Sequence, residues 1–355
     1  MSSPKEAAAE HAIIGASAIS KPFERNTHPD AQWFPAAGLG LFLHWGIASV
    51  FGNTDLSWGM MQDFVWDAPL PGYPKVTPRQ YYEGGIAKFH PDKFEPEKFL
   101  GAAAEAGFKY AVLTTKHHDG FTLFPSKYGE FGAAHSLHGR DLVGEYVDAC
   151  RKVGMKIGLY YSPPDWYFNR DNMSFNCGRN PDGSRVLKNF DLQTIDCLPV
   201  MPPEHKKAYI ELIRGQTLEL LTRYGKIDII WFDGRGVGED DPDPITIEEI
   251  RALQPQILIN PRMHGKGDFS TPECSIPKTA PEGWWEVCHL LNDHGWGYTV
   301  HPYKSFEWWR ETYETVHAMG GNFLTNVGPM PSGELPDVYF ERMAQIKAYH
   351  FKGKK

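Results

Sequence analysis

Eight short apolar runs, separated by amphipathic stretches from residue 39 to about 350, constrain this chain more than any other feature. The runs are LGLFLHWG (39–46), KYAVLTTKHHDG (109–120), KIGLYYSPPDW (156–166) and IDIIWFDG (227–234), then QILINPRM (256–263), DFSTPE (268–273), WEVCHLL (285–291) and GNFLTNVGP (321–329). Strands that alternate with helices belong to parallel α/β folds, and eight strands close a (β/α)8 TIM-type barrel. Several intervening stretches read as helices. Residues 95–107 place Phe99, Ala103 and Ala106 on one stripe and stop at Gly107, and residues 140–154 repeat that design up to Gly154. Residues 204–225 carry Tyr209, Leu212, Ile213, Leu220 and Tyr224 at helical spacing. One barrel accounts for residues 31–355, and residues 1–30 read as a flexible tail with a frayed, Ala-rich helical start.

The polar residues of the pattern gather where these strands end. The first strand finishes in His44-Trp45-Gly46, the second in His117-His118-Asp119-Gly120, the third in Tyr160-Tyr161 and the fourth in Trp231-Phe232-Asp233-Gly234. The fifth ends with Arg262 and the sixth with Glu273. In a barrel the C-terminal strand ends converge on one mouth, where catalytic groups sit. A single histidine there is a common structural feature, but six consecutive polar endings are hard to explain as scaffold. Along the fourth strand Ile227, Ile229, Trp231 and Asp233 share one face, so the first three fill the barrel and the carboxylate reaches its rim. Asp228 faces the other way and is expected to bond locally. The segment from Tyr167 to Pro203 is long, rich in Asn, Asp, Gly and Pro, and faces the same mouth.

Charge excludes some partners. Lys and Arg number 36 against 44 Asp and Glu, a net charge of −8, which lacks the basic footprint that nucleic acid requires. No segment approaches the roughly 18 apolar residues of a membrane span, and Met1 to Lys21 shows no basic region followed by an apolar core. The five cysteines form no CxxC pair or zinc-like spacing, with a Cys177–Cys197 bridge conceivable only after export. Aromatic residues make up 14%, including 11 Trp and 16 Tyr, whose faces and polar edges suit sugars as well as a core.

At these motifs the chain resembles the glycoside hydrolase family that contains the α-L-fucosidases, family 29. The likeness runs from about Trp33 to Ile346 through LGLFLHWG, KYAVLTTKHHDGFTLFPS, DLVGEYVDACRKVGMKIGLYYS, YGKIDIIWFDG and GGNFLTNVGPMPSGELP, in that order. The resemblance implies a retaining exo-glycosidase without cofactor or metal, acting on fucosylated oligosaccharides, glycoconjugates or glycosides. It implies Asp233 as nucleophile, with His44, His117, His118, Tyr160 and Arg262 around the sugar ring and Trp58 as an aromatic wall. A Glu often precedes that Trp in the family; here it is Ser57. Glu273 resembles the acid/base of members in which a Thr-x-Glu follows the fifth-strand Arg. Glu286, flanked by Trp284 and Trp285, is the alternative, because a general acid needs the raised pKa that apolar surroundings give. Many members continue into a β-sandwich, whereas this sequence stops at Lys355 without one, which leaves surfaces that a homo-oligomer would cover.

Three other readings compete. An α-galactoside substrate differs from a fucoside at the C6 hydroxyl alone in its ring pattern. A sugar-binding barrel without catalysis has no need of Asp233 and two candidate acids. A metal-dependent barrel hydrolase would use His44, His117, His118 and Asp119, but neighbouring strand residues point to opposite faces and the first strand lacks a His-x-His.

Overall fold

The chain's computed structural model describes residues 4–52, 55–63, 76–293 and 295–351. Eight parallel strands form the core: β1 (Leu39–Leu43), β2 (Tyr110–Lys116), β3 (Lys156–Tyr161), β4 (Ile229–Phe232), β5 (Leu258–Ile259), β6 (Phe269–Ser270), β7 (Trp284–Leu290) and β8 (Asn322–Val327). Their order around the sheet is β5-β4-β3-β2-β1-β8-β7-β6, so the last strand returns beside the first, as a barrel demands. β1 pairs with β8 from Leu39↔Phe323 to Leu43↔Val327 and with β2 from Gly40↔Tyr110 to Leu43↔Leu113.

The short strands β5 and β6 meet across a seam built differently. Asp268 N donates to Ile259 O at 2.8 Å, while Ile259 N donates to the Asp268 side chain at 2.7 Å. A carboxylate thus replaces the backbone acceptor that a longer ladder would supply. Arg251 Nη2 donates to the other Asp268 oxygen at 2.7 Å and compensates the buried charge.

Helices Pro78–Lys88, Pro96–Ala106, Leu142–Val153, Pro203–Arg223, Ile247–Leu253, Phe306–Ala318 and Asp337–Phe351 surround the strands. The helices expected at 95–107 and 140–154 end where their glycines do, with left-handed Gly107 (φ 103°) and Gly154 (φ 75°) as caps. The helix expected at 204–225 runs from Pro203 to Arg223. Asp228 bonds locally as its face requires, accepting from Ile157 N at 2.9 Å and Lys156 Nζ at 3.0 Å. All five cysteines, Cys177 and Cys197 included, are unbridged. No helix among the described residues is long and apolar enough to cross a membrane.

Residues 4–30 also touch the barrel. Helix α1 (Pro4–Ile14) covers the barrel mouth, and residues 20–26 bond along β5 and β6, with Ser20 N donating to Ser270 Oγ and Asn26 Nδ2 to Ile257 O. The long segment after β3 starts at the same mouth, where Trp166 N donates to His118 O at 2.7 Å. It also contains a small ribbon, Leu187–Lys188 paired with Thr194–Ile195.

The barrel interior is filled by inward residues two apart along each strand. Gly40 on β1 leaves the space that the Tyr110 ring crosses to bring its hydroxyl to Glu286 Oε2 at 2.5 Å. A Cβ at Gly40 would sit 2.2 Å from Tyr110 Cζ, far inside contact distance. Gly40→Ala is therefore expected to destabilise the fold by about 1–3 kcal/mol, the range for overpacking. Chemical denaturation monitored by tryptophan fluorescence measures this, and an unchanged midpoint would refute the packing argument.

Candidate active site

Several strands carry their inward face up to the mouth. On β1 the inward series Gly40, Phe42 ends in His44; on β4 Ile229 and Trp231 end in Asp233; on β7 Glu286 precedes Cys288. The resulting pocket is lined by Glu10, His11, Ile14, Phe42, His44, Trp58, His117, His118, Trp231, Asp233, Arg262, Glu273, Cys288 and Trp296. Seven of the sequence-predicted residues are therefore together, and Tyr160 joins them through a 2.7 Å bond from its hydroxyl to Asp233 Oδ2.

Arg262 lies between the two carboxylates. Its Nη1 donates to Asp233 Oδ1 at 2.9 Å and its Nη2 to Glu273 Oε2 at 2.5 Å, with all three side chains almost fully buried. The guanidinium also sits over the Trp231 ring, 4.6 Å from its centre. Burial pushes the Glu273 carboxyl up, but Arg262 and then His11, 2.9 Å away, outweigh it and hold Glu273 well below the usual carboxylate range.

His44, His117 and His118 are neutral at neutral pH. Burial drives His44 down to about 4 and holds His117 and His118 well below their ordinary value. Their partners fix two tautomers. Asn326 Nδ2 donates to Trp296 O, so its Oδ1 accepts from His44 Nδ1 at 2.7 Å. Ser162 Oγ donates to Pro164 O and therefore accepts from His118 Nδ1 at 2.6 Å. Both Nε2 atoms remain as acceptors, suited to hydroxyl donors. Ser57, which stands where family members often have a Glu, lies 2.5 Å from His117 Nδ1 and accepts from Asp119 N at 2.8 Å, so it orients the His117 ring.

Ligand atoms of His117, His118 and Asp233 lie within 4.8 Å of one another, close enough to share a metal ion. Alternation predicts opposite faces for the two histidines, but β2 ends at Lys116 and both sit in the following turn, where Gly120 N donates to His117 O. The guanidinium on Asp233 opposes a second cation there. Of the other two ligands of the metal reading, His44 bonds Asn326 Oδ1 through Nδ1 at 2.7 Å, and Asp119 accepts from Tyr81 Oη at 2.6 Å and Phe121 N at 2.9 Å.

Glu286 lies beneath this pocket and does not line it. It is fully buried two residues into β7, accepting from Tyr110 Oη and from Trp231 Nε1 at 2.8 Å. Sequence reasoning overlooked Glu10, His11, Asn326 and Trp296. Asn326 was the most accessible of these, as a polar residue at the end of the eighth strand.

The family described as Alpha-L-fucosidase matches this chain over residues 11–352. The mouse and human tissue alpha-L-fucosidases are 28% and 29% identical to it, each over 90% of this chain and over 70% and 67% of their own lengths. Alpha-L-fucosidase isoenzyme 1 from Paenibacillus thiaminolyticus superposes with a TM-score of 0.71 at 30% identity, covering 90% of this chain and 75% of that one. A mutant of the Lactobacillus casei alpha-L-fucosidase AlfC, in complex with 4-nitrophenyl-a-L-fucopyranoside, gives 0.70 at 25% identity, covering 92% and 99%.

Burial pushes the Glu286 carboxyl up to about 7, against the bonds from Tyr110 and Trp231. A folded pKa above the unfolded one means that its stabilising contribution is complete below about pH 4.5 and is lost as pH rises through about 7. That loss amounts to roughly 3 kcal/mol for a fully buried group. Glu286→Gln, which mimics the protonated acid, should therefore gain stability relative to the native chain between pH 5 and 8. Melting temperatures that keep a constant difference across this window would remove that assignment.

Proposed function

The chain belongs to the alpha-L-fucosidase family, and from that premise we propose a double displacement in which Asp233 is the nucleophile and Glu273 the acid and base. The enzyme hydrolyses α-L-fucosides. In this reading its substrates are terminal fucosyl residues of oligosaccharides, glycoconjugates or glycosides.

One observation carries the mechanism: a single guanidinium holds an oxygen of each carboxylate. Its two terminal nitrogens belong to one rigid planar fork, which keeps their partners close together. Retaining enzymes hold their pair about 5–5.5 Å apart, whereas inverting ones need about 6.5–9.5 Å to admit a water. Asp233, oriented by Tyr160 and Arg262, attacks the anomeric carbon and forms an ester as the glycosidic bond breaks. Arg262 and His11 hold Glu273 ionised in the unliganded site, so Glu273 takes up a proton from solvent as substrate binds and delivers that proton to the leaving oxygen. It then takes a proton from water, which attacks the same carbon and releases Asp233. The unprotonated Nε2 atoms of His44 and His118 accept bonds from ring hydroxyls, and Trp58 and Trp296 offer apolar surface to the ring.

Asp233→Ala is expected to lower kcat on 4-nitrophenyl α-L-fucoside by several orders of magnitude, with azide yielding the inverted fucosyl azide in the vacated space. Hydrolysis at native rates would sink the nucleophile assignment.

Glu273→Ala should behave differently, because nitrophenolate leaves without an acid and a sugar alkoxide does not. It should nearly abolish cleavage of fucosylated oligosaccharides, keep much of the first step on the nitrophenyl substrate, and respond to azide with a product of retained configuration. Equal damage to both substrates without azide rescue would transfer the acid/base role away from Glu273.

A further inference from the structure

Helix α1 closes the pocket just described. Among its residues from Ala7 onward, Ala7, Glu10 and Ile14 are buried, spaced three and four apart on one face. His11 reaches Glu273 Oε2 at 2.9 Å, and Arg235 N donates to Ile14 O at 3.0 Å. With α1 in place the centre of a water molecule has only about 20 Å³ in which to move, so the pocket is tight where Glu10, His11 and Ile14 line it. The helix stands against Glu273, the group that has to reach the leaving oxygen, and so fills the leaving-group side.

The docking of α1 is poor at its centre. Glu10 puts a carboxyl into the middle of the Ala7–Glu10–Ile14 stripe, and its Oε1 has no hydrogen-bond partner among the described residues. Burial, followed by the carboxylates of Glu273, Asp55 and Asp233, holds it well above the ordinary carboxylate range. An unpartnered buried polar atom is costly, and an isolated helix of 11 residues is marginal in water. Just beyond it lies Gly15, exposed and at φ +65°, a backbone state that glycine adopts freely.

We propose that α1 is a displaceable plug: it occupies the leaving-group side of the pocket in the unliganded chain, and substrate swings it out about Gly15. The proposal rests on the reading of Asp233 and Glu273 as the catalytic pair. With the plug seated, Glu273 is committed to Arg262 and His11, and α1 stands where an aglycone would lie. Departure of α1 frees one Glu273 partner and returns the Glu10 carboxyl to water, which offsets part of the lost contact. A closed fraction of this kind raises the apparent dissociation constant of substrate without touching the chemistry that follows.

The test uses Ala8 and Ala12, exposed residues of α1 that do not line the pocket. Gly for Ala in a helix interior weakens the helix about fivefold per site, so the Ala8→Gly/Ala12→Gly chain should spend less time closed. Its KM for 4-nitrophenyl α-L-fucoside should fall by about threefold or more, with kcat within about twofold of native. In the native chain, saturating L-fucose should accelerate amide hydrogen exchange across residues 4–14. An unchanged or higher KM, or exchange that stays constant or slows, overturns the plug. A native chain that cleaves no fucoside overturns the functional reading itself, and the plug with it.

Discussion

The site is organised around one buried cation shared by two buried anions. Arg262 is in contact with Asp233, Glu273 and the face of Trp231, and each contact constrains the others. Removing one partner from such a group leaves an uncompensated buried charge, a change that typically costs about 3–5 kcal/mol. The geometry of the two carboxylates is therefore enforced by electrostatics rather than by strand positions alone. This matters because β5, which delivers Arg262, is only two residues long. A short strand places a side chain loosely, and the guanidinium fork then fixes what the backbone leaves open.

The remaining polar groups follow the same economy. Each histidine at the mouth has its far nitrogen anchored, His44 by Asn326, His117 by Ser57 and His118 by Ser162, so the rings present fixed atoms to the cavity. Burial keeps them uncharged. A positive imidazole beside Arg262 would compete for the same carboxylates, whereas a neutral one leaves them to Arg262.

Much of this was legible in the sequence because it follows a two-residue period. The inward faces of β1 and β4 lead to His44 and Asp233 by counting alone. Counting failed where the strand stopped: His117 and His118 lie beyond Lys116, and both face the pocket despite being neighbours. Depth was the second limit. Glu286 has the aromatic flanks expected of a raised acid, and its carboxyl is raised, yet β7 begins at Trp284, which puts Glu286 near the N-terminal end of the barrel and below the mouth. Only the strand boundary distinguishes it from Glu273. The α1 contribution was harder still, since an Ala-rich stretch with one carboxyl on its buried face carries no periodic signal that separates a frayed end from a docked helix.

Trp231 links the two halves of the barrel interior. Its ring supports Arg262 above, stacks on Tyr160 at 5.5 Å beside Asp233, and donates from its indole nitrogen to Glu286 below. Glu286 in turn holds Tyr110, which needs the empty face of Gly40. Efforts to make this enzyme more heat-tolerant by redesigning its interior would thus meet no inert layer. Even a change on β1 would propagate through three side chains, Tyr110, Glu286 and Trp231, to the groups that hold Asp233.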